Sequence, residues 1–397
     1  MTRILAWLAA HDRALGRWER ALAVAIPVVF LGLAIVRAWP FVDDVPLDRF
    51  VGDDWWTYKT YGHTILREGL AMPSVGPYVA KVHGFLYSYF VAGVFAIFGE
   101  NTAFVYILQS FMVGASVSLL YLPLRERLSH AGAIGFLVAA SVLMYIDFFR
   151  SLSFLLLSES LYVFLLSVFL VAYLAAFKRG SHVTAFVAGI VLGLAVLSRT
   201  SALAAAFGVL GAGVAYVLLR RGSARPTVAL ALAAGFAASM GLLPLREYAA
   251  TGRAEFDLIT HTADWIKPPT EPLAFAEFFA RRVLFTLGFT SFLTDEYRFR
   301  PHWFLIWIGF FGWAVSRFWW RRAPDFREVA TVVFLALYFG PIIFFADPVN
   351  YGGRYISVGL PFALMLATAV VDDLLFPSLG RSRGDRSARV VVRPAST

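Results

Sequence analysis

The chain contains no cysteine and few charged residues for its length. The absence of cysteine among its 397 residues excludes both a disulfide framework and thiolate chemistry. Only 15% of the residues are Asp, Glu, Lys or Arg, whereas 59% are hydrophobic. A composition this apolar is not that of a soluble globular protein, so it predicts an integral membrane protein.

Ten apolar stretches are long enough to cross a bilayer, which needs about 20 predominantly apolar residues per helix. A further stretch, 84–98, is shorter and fits either a span or a helix at the membrane surface. We predict an all-α polytopic membrane protein with ten transmembrane helices, and with amphipathic interface helices at 56–68 and 273–287. The ten predicted spans are 21–41, 102–123, 131–149, 160–177, 183–199, 201–219, 227–245, 303–320, 328–346 and 355–375.

Basic clusters between these stretches set the predicted orientation. They also account for the net charge of +9, so that charge does not require a nucleic-acid partner. If 84–98 does not cross, every basic cluster falls on one face, which the positive-inside rule assigns to the cytoplasm. We therefore expect a multi-pass protein of a bacterial inner or plasma membrane, in contact with membrane lipids, with its site facing the periplasm or exterior. The predicted parts are a basic cytoplasmic N-terminus at 1–20, a transmembrane module at 21–376 with outer loops at about 42–101 and 246–302, and a disordered basic cytoplasmic tail at 377–397.

The first outer loop begins with two adjacent carboxylates, Asp53 and Asp54. Ionised groups close to a bilayer cost several kcal/mol unless a site or water stabilises them, so this pair is a candidate functional site. The pair could instead cap a helix that begins at Trp55, because Asp is a favoured N-cap residue.

Other polar residues collect at the outer ends of the predicted spans, as expected for a site that receives an anionic substrate from the lipid. Glu159 could instead pair with Arg150 or cap the fourth span. Arg199 and Arg354 could extend to the interface from helix ends. A divalent cation cannot be assigned, because no spacing of His and carboxylates is typical of a metal site. The candidate substrate-binding residues are Tyr58, Lys81, His83, Arg150, Arg199, Arg354 and Tyr355.

Five segments form an ordered set of short motifs along the chain. They are 53–69 (Asp-Asp-x-x-x-Tyr and Ile-Leu-Arg-Glu-Gly), 98–101 (Phe-Gly-Glu-Asn), 157–161 (Leu-Ser-Glu-Ser-Leu), 193–199 (Gly-Leu-Ala-x-x-x-Arg) and 353–361 (Gly-Arg-Tyr and Pro). In this order they resemble motifs of the C-type, multi-membrane-spanning glycosyltransferases, a superfamily that includes protein O-mannosyltransferases, the lipid A aminoarabinose transferase, oligosaccharyltransferase and mycobacterial arabinosyltransferases. Where several relatives carry Lys-Pro-Pro, this chain has Lys81-Val82-His83.

The resemblance implies an inverting transfer of a sugar from a polyprenyl-phosphate carrier to a glycan, lipid or protein acceptor on the outer face. Asp53 matches the leading acid of the family motif and would be the general base, with Asp54 orienting the acceptor or binding a cation; which of the two is the base stays open. Glu159 would complete the acidic set. Arg199 and Arg354 would neutralise the phosphodiester, because guanidinium groups match phosphate oxygens.

A secondary transporter or lipid flippase for an anionic substrate is the alternative function. Such proteins place ionisable residues near the bilayer midplane, on broken helices in repeated halves. Here the polar residues lie at the outer ends of the predicted spans, and no internal repeat is visible. A non-catalytic scaffold is a third reading, which the retention of Asp53 and Glu159 disfavours.

Overall fold

The computed structural model describes most of the chain and leaves gaps mainly in the two predicted outer loops. The described residues are 2–39, 54–72, 74, 85–152, 158–199, 203–219, 226–254, 269–287, 300–320, 326–345 and 353–375. Within these ranges all regular structure is helical, which confirms the all-α prediction. The predicted tail at 377–397 lies outside them.

The helices follow the apolar periodicity of the sequence closely. They are α1 Thr2–Ala38, α2 Asp54–Glu68, α3 Phe85–Phe98, α4 Thr102–Leu124, α5 His130–Met144, α6 Glu159–Arg179, α7 His182–Ser198, α8 Leu203–Leu219, α9 Pro226–Met240, α10 Leu242–Thr251, α11 Pro272–Thr286, α12 Leu305–Trp320, α13 Phe326–Phe345 and α14 Gly353–Leu375. A π-helix, Tyr145–Leu152, continues α5, and a 3-10 turn, Pro301–Phe304, precedes α12. The predicted amphipathic helices are present as α2 and α11.

Local sequence explains several helix ends. The Asn101 side chain accepts a hydrogen bond from the backbone of Ala103 at 2.8 Å, and so caps the start of α4. Ser129 caps α5 in the same way, through Gly132 at 3.0 Å. Gly180 ends α6 with a left-handed backbone (φ 65°), which favours glycine.

Glycine allows α7 and α9 to pack closely. A β-carbon added at Gly189 would lie 2.0 Å from the carbonyl oxygen of Leu232, and one at Gly235 would lie 2.0 Å from the carbonyl oxygen of Phe186. Gly189 and Gly193 form a small-x-x-x-small pair, the spacing that lets helix backbones approach in membranes. Gly189 lies against Leu232, and Gly193, four residues later, lies against Ser239, seven residues later. The contacts therefore advance in the same direction along both helices, so α7 and α9 run parallel.

The prediction of ten spans is wrong by length and composition. Among the described residues, six helical stretches are long and apolar enough to cross a membrane. The helices in the predicted spans 183–199 and 201–219 have 17 residues each, and α12, in 303–320, has 16. In 328–346, the apolar part of α13 whose side chains the structure describes is Val329–Gly340. A 17-residue helix is only about 26 Å long at 1.5 Å per residue, which is less than the hydrocarbon core of about 30 Å. The six stretches are Leu15–Ala38, Thr102–Leu124, His130–Phe148, Glu159–Arg179, Pro226–Thr251 and Ile356–Leu375.

The 84–98 stretch forms α3, which has 14 residues and is also shorter than a span. It packs against α2, α4 and α7. A stretch that does not cross the membrane was expected here, and the length of α3 agrees with that expectation.

Polar contacts divide the bundle into two ends. At one end, called the basic end, Lys178 at the end of α6 pairs with Glu126 at 2.8 Å, and Arg127 pairs with Asp373 at 2.7 Å. The start of α6 and the end of α5 lie at the other end, called the site end. Glu159 and Asp147 are at this site end.

Candidate functional site

The amphipathic helix α2 brings the first predicted loop to the start of α6. Tyr58 is 3% exposed, packs edge-on against Tyr87 with ring centroids 4.6 Å apart, and has its hydroxyl 3.5 Å from Ser158 Oγ. His63 fixes the helix further along through a contact with Glu100 at 3.1 Å. Asp54 therefore lies about one helical turn before Tyr58, the residue of α2 that contacts the start of α6.

Lys59, beside Tyr58, adds a positive group on this helix. Burial lowers the pKa of its ammonium, and the nearby Glu100 carboxylate partly offsets that shift. The ammonium lies 6.0 Å from the centre of the Trp56 ring.

A buried ion pair joins the start of α6 to the end of α7. The Glu159 side chain is 0% exposed and forms an ion pair with Arg199 Nη1 through Oε1, and the Arg199 side chain is 10% exposed. The same nitrogen lies 3.2 Å from Ser158 Oγ. Arg199 follows the last residue of α7 in an extended conformation, which directs its guanidinium back over the start of α6.

This pair answers the question of whether Arg199 extends to the membrane interface from the end of its helix. Glu159 is the first residue of α6, and the preceding Ser158 makes no side-chain cap. Glu159 contacts Arg199, and Arg199 is held inside the bundle rather than extended into the interface. Sequence reasoning selected both residues but did not pair them.

A second polar cluster at the site end connects three elements. Asp147, in the π-helix, is 4% exposed. It lies 2.9 Å from His302 Nε2 and accepts a hydrogen bond from Ser357 Oγ at 3.1 Å. Asp147 thereby connects the π-helix to the turn before α12 and to the first turns of α14. Sequence reasoning missed His302 and Ser357, because single His and Ser residues far apart in the chain give no local signal.

A third buried pair lies on α10. Arg246 and Glu247 are 6% and 3% exposed, and Arg246 Nη1 donates to Glu247 Oε1. Three polar groups with buried carboxylates therefore lie at or near the site end.

The remaining predicted site residues are only partly described. Asp53, Lys81 and His83 lie outside the described residues. For Asp54, Arg150, Arg354 and Tyr355 the structure describes the backbone alone: Asp54 begins α2, Arg150 lies on the π-helix three residues after Asp147, and Arg354 and Tyr355 lie in the first turn of α14.

Within the described part of the chain, no three His, Asp or Glu side chains come together as a metal site. Asp147 and His302 form a pair, and Asp147 also accepts a hydrogen bond from the hydroxyl of Ser357, which is not a metal ligand of this class.

Comparison with protein families gives one match, over residues 82–243, to the family model described as dolichyl-phosphate-mannose-protein mannosyltransferase. The matched segment contains Glu159 and Arg199 and ends before Arg246. Comparison with curated protein sequences gave no match.

The fold is similar to that of the oligosaccharyltransferase of Archaeoglobus fulgidus. The crystal structure with zinc and sulfate aligns with a TM-score of 0.56 and 15% identity, over 93% of this chain and 51% of that one. The apo form gives 0.56 and 15%, over 96% and 53%. The form tethered to an acceptor peptide with the NVT sequon gives 0.54 and 16%, over 91% and 50%.

The chain therefore spans about half the length of that enzyme and shares the fold of the half that it covers. The matched mannosyltransferase family and the oligosaccharyltransferase fold point to the same group of membrane proteins. Both are among the superfamily members that the sequence motifs resemble. The resemblance to the multi-membrane-spanning glycosyltransferase superfamily is confirmed.

Proposed function

We propose that this chain is a membrane glycosyltransferase that moves a sugar from a polyprenyl-phosphate carrier to an acceptor at the site end. The family description, which names a dolichyl-phosphate sugar donor, supports a carrier of this class. The observation that carries the proposal is the buried Glu159–Arg199 pair, which lies inside the matched segment and beside the first-loop helix.

Arg199 binds the phosphate of the carrier in this proposal. Its guanidinium stays charged and presents N–H donors in a planar fork that suits phosphate oxygens. Glu159 and Ser158 fix the orientation of that fork. Because the Glu159 carboxylate is fully buried, its role is to position Arg199, and the substrate contact is made by the arginine.

Asp53 is the proposed general base, and the position of α2 supports this. Asp54 lies one turn before Tyr58, about 6 Å along the helix axis at 1.5 Å per residue. Tyr58 contacts Ser158, so the start of α2 comes near the Arg199 guanidinium. Asp54 orients the acceptor or binds a cation.

The reaction is a single inverting displacement. The acceptor hydroxyl gives its proton to the Asp53 carboxylate while its oxygen attacks the anomeric carbon from the face opposite the phosphate. The new carbon–oxygen bond forms as the bond to the phosphate oxygen breaks, and the polyprenyl phosphate leaves with the electron pair. A positioned base of this kind contributes typically about 10²–10⁴-fold to the rate.

Among the other predicted binding residues, Arg150, Arg354 and Tyr355 have their backbones at the same end. Arg354 and Tyr355 lie in the first turn of α14, three and two residues before Ser357, which contacts Asp147. Arg150 follows Asp147 on the π-helix. We propose that Arg354 is a second phosphate ligand and that Arg150, Lys81, His83 and Tyr355 contact the sugar or phosphate.

The test is the affinity for polyprenyl phosphate in nanodiscs. Arg199→Lys keeps a cation beside Glu159 and so preserves the buried pair, but it removes the planar fork. We expect weaker binding for Arg199→Lys and Arg354→Lys, and wild-type binding for Arg253→Lys, an exposed arginine after α10. Unchanged affinity in both folded variants would remove the phosphate role.

A further inference from the structure

Outside the candidate site, a groove with apolar walls and a basic rim lies at the basic end, between the ends of α4 and α6. Its volume is about 280 Å³. Its walls include Leu122 and Pro123 from α4, and Val171 and Leu174 from α6. Leu122 is 39% exposed, so the apolar wall opens to the outside of the bundle.

The rim of this groove is basic. Arg125 follows the last residue of α4, and Lys178 and Arg179 are the last two residues of α6. The one carboxylate of the lining is Glu126, which holds Lys178 at 2.8 Å through both of its oxygens. The lining therefore contains three cations and one carboxylate, and is net positive in composition.

The position of these charges at the ends of the membrane-spanning helices indicates which kind of ligand the groove suits. Both helices are among the six stretches that can cross the membrane, Thr102–Leu124 and Glu159–Arg179. The apolar walls lie within the last turns of the spans, at the depth of acyl chains, and the cations lie where the spans end, at the depth of headgroups. Basic pockets between transmembrane helices are suited to anionic headgroups.

We propose that this groove binds an anionic phospholipid of the leaflet at the basic end, with its phosphate on Arg125 and Arg179 and an acyl chain along Leu122 and Leu174. A free phosphate ion would use the cations alone and leave the apolar walls without a role. The proposal is independent of the transfer reaction, since the groove is at the opposite end of α6 from Glu159.

The experiment measures lipid binding to the full chain in detergent, by native mass spectrometry and thermal unfolding, with phosphatidylglycerol or phosphatidylcholine added. The test variant is Arg179→Gln, which keeps the Lys178–Glu126 pair, followed by Arg179→Gln/Arg125→Gln. The control is Arg253→Gln/Arg281→Gln, which removes two exposed arginines outside the groove.

We expect phosphatidylglycerol, but not phosphatidylcholine, to bind wild type and control and to raise their unfolding temperatures. Binding should weaken about five-fold for each groove arginine removed, as expected for a basic residue at an anionic surface. Equal binding of phosphatidylglycerol by wild type and the double variant would overturn the proposal. Inorganic phosphate that protects the protein as well as phosphatidylglycerol would also overturn it, because the occupant would then be a free anion.

Discussion

Arg199 and Glu159 form a buried contact that constrains how the site can be studied. Removing one member of a buried ion pair leaves the other charge without compensation, at a cost of about 3–5 kcal/mol. Loss of activity in Arg199→Ala could therefore reflect unfolding rather than loss of a ligand. The choice of substitution decides whether an experiment reports on binding or on stability.

Arg199→Ala should lower the free energy of unfolding by about 3–5 kcal/mol, because it leaves the buried Glu159 carboxyl group without its cationic partner. The double variant Arg199→Gln/Glu159→Gln should recover part of this loss, since both charges are gone. Chemical denaturation in detergent measures both. A double variant as unstable as Arg199→Ala would show that the ion pair is not the source of the effect.

Ser357→Ala should destabilise the protein by about 1–3 kcal/mol, because it removes a hydrogen bond from the buried Asp147 carboxylate. The matched control is Ser141→Ala, whose hydroxyl donates at 2.7 Å to Leu137 within the same helix. We expect a smaller loss there in thermal unfolding. Equal losses would mean that the link between Asp147 and α14 contributes no more than a local helix contact.

At the scale of single residues, the sequence predicted which residues belong to the candidate site better than it predicted which of them contact each other. Glu159 and Arg199 were both selected, yet their pairing was not, because they are 40 positions apart and Arg150 was the nearer candidate. His302 was missed for the same reason: its partner Asp147 is 155 positions away in the chain. Contacts of this range depend on how helix ends meet, which single-residue patterns do not encode.

At the scale of elements, apolar patterns placed the helices well but not their span lengths. Stretches such as 183–199 and 303–320 are helical as expected, and they are shorter than the six spans. Helix ends depend on the residues around them, such as Arg199 after α7, and hydropathy alone does not report those ends.

Glycine at the α7–α9 contact should be needed for close packing. Gly189→Ala should destabilise, because its β-carbon would lie 2.0 Å from the backbone carbonyl of Leu232, and that carbonyl cannot rotate away. The same substitution at Gly211, in open space on α8, should stabilise by up to about 1 kcal/mol through helix propensity. Thermal unfolding in one detergent compares the two. If Gly189→Ala is as stable as Gly211→Ala, the close approach of α7 and α9 is wrong.

At the scale of the whole molecule, the distribution of charge agrees with the sequence. Arg127, Lys178 and Arg317 lie at the basic end, with Asp147, Glu159 and His302 at the other. The basic clusters predicted this division, because they recur at every second connection between apolar stretches. Which end faces the cytoplasm stays a prediction.

The orientation can be measured directly, because the natural chain has no cysteine to remove. His182, at the basic end, and Thr270, before α11, are both exposed. We expect an impermeant maleimide applied to intact cells to label Thr270→Cys and not His182→Cys, with both labelled after lysis. The reverse pattern would place the site end in the cytoplasm.

The measurement that tests the central claim most directly is cleavage of a polyprenyl-phosphate sugar by the purified chain in proteoliposomes. With radiolabelled hexosyl and pentosyl donors, wild type should release polyprenyl phosphate and pass the label to an acceptor, and Asp53→Asn should lose at least about a hundred-fold in rate while still binding the carrier. Arg253→Lys should behave as wild type. If the wild-type chain binds these donors or moves them across the bilayer without cleaving any of them, it is not a glycosyltransferase. If Asp53→Asn cleaves at the wild-type rate, the enzyme assignment stands but the base lies elsewhere.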